Sequence, residues 1–143
     1  MKVFLGEYKQ DGTERDIQIE IHDYDTWSGD VTLALIAVPL IEKIKENKQG
    51  APHVDDDDVP DELKRVNNKN PDVPDWQLDG AWFKRWHYVL DEILWGLKEV
   101  RDFFPTEDLV YTHGTESKEY LEYKKRLENS LRLFGKYFTS LWT

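Results

Sequence analysis

The stretch Ile17-Gln18-Ile19-Glu20-Ile21-His22 leads into Asp25-Thr26-Trp27-Ser28-Gly29-Asp30-Val31-Thr32-Leu33-Ala34-Leu35, and the apolar period changes along it. Ile17, Ile19 and Ile21 alternate with polar residues, the period of two expected of a half-buried strand. From Ser28 the spacing becomes helical. Val31, Ala34, Leu35, Val38, Ile41 and Ile44 share one face, and Leu33, Ile36 and Leu40 widen the apolar surface around it. Ser28 reads as an N-cap with Asp30 in the first turn. Pro39 lacks an N–H and is expected to kink the helix or free one carbonyl. A strand-to-helix junction at Asp25 to Ser28 makes the class α+β.

Outward from this junction, the apolar start at 2–8 and the turn Gln10-Asp11-Gly12-Thr13 complete a β-hairpin over 1–24 with one buried face. Two strands alone are marginal, so the hairpin must lean on helices or pair with another subunit. In the other direction, Trp82, Trp86, Val89, Leu90, Ile93, Leu97 and Val100 form a second helical stripe. Tyr120, Lys124, Leu127, Leu131, Phe134, Phe138 and Leu141 form a third, near heptad spacing. Pro105 ends the second helix, and His113-Gly114-Thr115 turns the chain. The expectation is a single domain over 1–143, an N-terminal β-hairpin packed on about three main α-helices at 28–48, 79–103 and 116–141. Between the first two, 50–78 is an irregular loop broken by prolines, with a short helix starting near Pro60, and such a length implies a task or mobility.

With 143 residues the chain is long enough for one core, and its six Trp, seven Tyr and six Phe supply large buried areas despite 34% charged residues. A net charge of −10 repels nucleic acid over most of the surface and favours solubility, with DNA mimicry as the sharper alternative. Without cysteine, neither disulfides nor thiolate chemistry apply. The start of the chain turns polar too soon for a signal peptide, and no apolar run reaches membrane length. The expected setting is soluble and intracellular.

Enzyme signals are thin. Nucleophile-elbow, Walker and dinucleotide motifs are lacking. Asp55-Asp56-Asp57-Asp58, with His53 nearby, reads either as an oxygen-rich cation site or as a solvated and helix-capping run. His87 and Asp91, four apart on a helix, could orient an imidazole as a base or form an ordinary surface pair. Binding signals are stronger. Trp27 precedes a helix N-terminus able to receive an anion. Arg85 beside Trp86 suits base stacking and phosphate contact, and Arg132 and Lys136 add cations on the third helix. The structural alternative is that Trp27 and Trp86 are core and the cations lie along apolar surface.

The ordered blocks Asp25-Thr26-Trp27-Ser28 with Asp30 and Thr32-Leu33-Ala34, Gly50-Ala51-Pro52 with Val54-Asp55-Asp56, Phe83-Lys84-Arg85-Trp86, and Arg132-Leu133-Phe134-Gly135-Lys136-Tyr137 resemble a family of small, uncharacterised proteins of tailed double-stranded DNA phages, marine ones among them. Val31 and Gln49 stand where many relatives have His, so a metal or base role carried by those positions would be lost here. The resemblance implies a phage protein in the host cytoplasm, and by analogy one acting against host defence. The expected function is a homo-oligomeric binder that sequesters a nucleotide-derived signal without turnover. Arg85, Arg132 and Lys136 would meet phosphate, Trp27 and Trp86 would stack, and Asp25, Ser28 and Asp30 would hold ribose or pin the turn. No cofactor, membrane or nucleic-acid partner is expected. The alternatives are a metal-dependent hydrolase of such nucleotides and an acidic protein that inhibits a host enzyme by direct binding.

Overall fold

The computed structural model describes residues 1–69, 78–102, 110–112 and 114–142. Two strands, β1 (Lys2–Leu5) and β2 (Ile17–Glu20), pair antiparallel with Val3 opposite Ile19 and Leu5 opposite Ile17. Their connection is closed by Gly12 at φ 77°, which a side chain would strain, and by the Asp11 carboxylate accepting from the N–H and hydroxyl of Thr13. A 3₁₀ turn at Asp23–Thr26 then leads into α1 (Gly29–Asn47). After it come α2 (Trp82–Asp102) and α3 (Lys118–Lys136), with 3₁₀ turns at Asp56–Asp58 and Asp61–Leu63 and one helical turn at Arg65–Asn68 between the first two. The described residues are mostly helical, with the hairpin as their strand element.

The core lies where α2 is flanked by α1 and α3. Val38 and Ile41 of α1, Trp86, Val89, Leu90 and Ile93 of α2 and Leu133 of α3 are its centre. α2 is central because its buried positions cover more than one stripe, with Gly96 beneath α3. A Cβ on Gly96 would stand 1.6 Å from Ser130 Oγ, so the two helices touch backbone to side chain there. This crossing shifts α3 from the expected face: Ser130, Leu133 and Tyr137 are buried, whereas Leu131 and Phe138 are exposed. α1 runs continuously through Pro39, whose ring is on the exposed side.

Two expectations need correction. The hairpin does not bury a face on the helices, since all eight strand residues are exposed. Residues 51–68 are no loose loop. Val54, Asp58 and Val59 are buried against the helices, and the prolines stop regular structure without preventing packing. The remainder of the 50–78 segment, at 70–77, lies outside the described residues, as do Pro105 and His113.

Candidate functional site

The Asp run is divided among separate partners. Asp56 accepts from Arg65 N at 3.1 Å with both oxygens and so caps the turn at 65–68. Asp55 pairs with Lys136 Nζ at 2.6 Å. Asp58 is buried and receives Arg132 Nη2 at 2.7 Å and Tyr137 Oη at 2.6 Å, with Lys136 Nζ on its second oxygen as well. The Tyr137 hydroxyl in turn accepts from Asp55 N at 3.1 Å. Burial works against the Asp58 charge, but Lys136, Tyr137 and Arg132 outweigh it and hold the carboxyl below its ordinary value. The cluster fastens the 54–59 segment to the last turns of α3. Among the described residues no group of three or more His, Asp or Glu side chains is gathered as metal ligands would be.

Arg85 and Trp86 need the same correction as the loop. Arg85 is 1% exposed; its guanidinium donates to Asp79 at 2.7 Å and to the Leu63 carbonyl at 2.9 Å. Trp86 is 0% exposed and meets Tyr137 edge-on at 5.8 Å between ring centroids. Both side chains are therefore interior, because α2 turns this face toward the 54–63 segment and α3. Arg85 and Arg132 are directed to different carboxylates, Asp79 and Asp58. Nor do His87 and Asp91 form a couple: Lys45 takes Asp91, and Lys48 Nζ lies 3.1 Å from His87 Nδ1. Burial, then Lys48 and Lys45, lowers the His87 pKa, so the imidazole stays neutral in an open cleft of about 760 Å³.

The junction residues fare differently. Asp25 accepts from His22 N at 2.8 Å and pairs with the Met1 amine at 2.6 Å, and these two lower its pKa. Its carbonyl accepts from the Thr32 hydroxyl at 3.0 Å, tying the 3₁₀ turn to α1. Ser28 takes the N-cap position without a side-chain cap bond. Trp27, 84% exposed, is not core. It faces Tyr24, 83% exposed, at 6.1 Å between ring centroids and a tilt of 48°. Together with Asp25, Ser28, Val31 and Thr32 they line a shallow hollow of about 330 Å³. Asp23 and Asp30 are exposed on either side in sequence. Tyr24 was missed from sequence, although a Tyr three residues before a Trp in a one-turn helix is bound to sit beside it.

A second surface is apolar apart from Asp30 at its edge. A groove of about 590 Å³ runs between α1 and α3 over the edge of α2, lined by Leu33, Ile36 and Leu40 on one side and Leu131, Phe134 and Phe138 on the other. No described helix is long and apolar enough to cross a membrane. Compared with known proteins, the chain matches no family model, no curated protein and no solved structure.

Proposed function

We propose that this protein acts by binding without turnover, and that the Tyr24–Trp27 turn is the surface that engages a basic segment of another protein. One observation carries the reading: two large rings stand in solvent at a rigid junction, with acidic Asp23 and Asp30 nearby. Trp and Tyr are the side chains that most often dominate protein interfaces, and a Lys or Arg of a partner would gain from both ring faces and carboxylates. In the phage setting implied by the resemblance, this suits an acidic protein that inhibits a host defence enzyme by direct contact.

The ring pair also favours a second reading, the nucleotide-derived signal, whose base would stack there while the N-terminus of α1 meets a phosphate. Against it, Arg85, Arg132 and Lys136 are already paired with carboxylates of the same chain. Asp30 in the first turn would also repel an anion. Calorimetry separates the two. An arginine-rich peptide should bind wild type and lose at least about tenfold in affinity with Trp27→Ala, a hot-spot-sized effect, at unchanged circular dichroism. Heat from a cyclic dinucleotide or an ADP-ribose derivative, and none from the peptide, would reassign the turn to nucleotide. Silence from both sets would overturn binding at this turn.

A further inference from the structure

Two apolar surfaces have no cover among the described residues, and they lie on the two sides of one junction. The hairpin register puts Val3, Leu5, Ile17 and Ile19 on a single face, with Lys2, Phe4, Gln18 and Glu20 on the other. That face has the one-sided pattern of a sheet built to be covered, yet every residue on it is exposed. The groove is the second surface, where Leu33 is 69% exposed and Leu40 and Phe138 are also open. No hairpin residue lines the groove, so the chain does not use one surface to cover the other. The ties of Asp25 to His22, Met1 and Thr32 hold the hairpin and the start of α1 in a set relation.

We propose that the occupant of the groove is a second copy of this chain, whose hairpin lays its apolar face across Leu33, Ile36 and Leu40 while its own groove receives the first hairpin. Three observations select a second copy over an unrelated partner. The groove starts at Asp30, the residue next to the junction that carries the hairpin, so a two-fold axis near that junction exchanges both hairpins at once. The two surfaces match in chemistry, aliphatic against aliphatic and aromatic. Their size is right as well. Some ten side chains with about half their surface free offer on the order of 800 Å² per protomer, what a specific interface buries on each side. Neither Tyr24 nor Trp27 lines the groove or belongs to the hairpin strands.

Light scattering on the eluting full chain tests this. The wild-type mass should be twice 17.0 kDa. Ile19→Lys and Leu40→Lys should each return the mass to that of one chain with unchanged circular dichroism, because both side chains are exposed within the protomer. Since the chain has no cysteine, Ile19→Cys mixed with Leu40→Cys reports the seating directly. Oxidation should link one variant to the other. A wild type that stays monomeric at about 50 µM, a dimer that survives both Lys variants, or links confined to Ile19→Cys with itself would overturn the proposal.

Discussion

Removing the Asp58 carboxylate takes an acceptor from three donors at once, Arg132, Lys136 and Tyr137, of which Arg132 keeps Asn129 and Lys136 keeps Asp55. Asp58→Asn should therefore lower the unfolding free energy at pH 7 by about 2–3 kcal/mol. That is less than for a fully enclosed ion pair, because Arg132 and Lys136 can turn to water. The sign of the pH dependence follows from the depressed carboxyl: its stabilisation is complete above the ordinary value of 3.8 and is lost as the pH falls through the folded value. At the alkaline end the direction reverses. Burial and the Asp58 carboxylate push the Tyr137 hydroxyl up to about 12, and bonds to Asp55 and Asp58 raise Lys136. Both keep their protons longer in the fold, so stability is full below their ordinary values and falls as the pH rises past 10. Urea midpoints measured across pH should show both shoulders, and Asp58→Asn should cost less at pH 3 than at pH 7. None of this cluster was readable in advance as a unit. Four consecutive Asp look alike in sequence, and only packing decides that the fourth is buried.

Among the elements, the α2–α3 contact depends on the Gly96–Ser130 approach. Gly96→Ala would place its Cβ 2.6 Å from Ser130 Cβ as well as against the hydroxyl, forcing the helices apart. A loss of about 2–3 kcal/mol is expected from overpacking, and Gly96→Ala with Ser130→Gly should recover part of it, less the cost of a helical glycine. Thermal unfolding of the three proteins checks this. The same contact explains what the periodicity concealed. In α2 the large apolar residues mark the buried face, with Trp86, Val89 and Leu97 where their spacing puts them; in α1 Ala34, Val38, Ile41 and Ile44 are buried as expected, but Leu35, placed on the same face by its spacing, is exposed. In α3 the seam runs through a serine, so the heptad of larger residues pointed to a neighbouring face, the one that walls the groove. The strand period of two was legible too, but an alternating pattern says only that one face wants cover and not which molecule supplies it.

For the molecule as a whole, the charge of −10 per chain works against self-association, while the proposed contact is apolar. Raising the salt from about 0.05 M to 0.5 M should therefore tighten the dimer by screening this repulsion, whereas an assembly held by ion pairs would loosen. Sedimentation velocity across that range gives the sign. The helical content, the N-terminal hairpin and the buried face of α2 could be read from the sequence because they depend on neighbours a few residues apart. The site could not, since the pairing of each cation is decided by contacts far along the chain: Arg132 with Asp58 spans 74 residues. That separation has a consequence for synthesis. The segment 54–59 shares its core cluster with Leu133 and Tyr137 of the α3 region, and Tyr137 closes on Asp58 across 79 residues. α1 and α2 leave the ribosome with their shared apolar side incomplete, so the core shuts only after α3 has been made. Through that interval the hydrocarbon that Leu133 and Tyr137 later cover faces water.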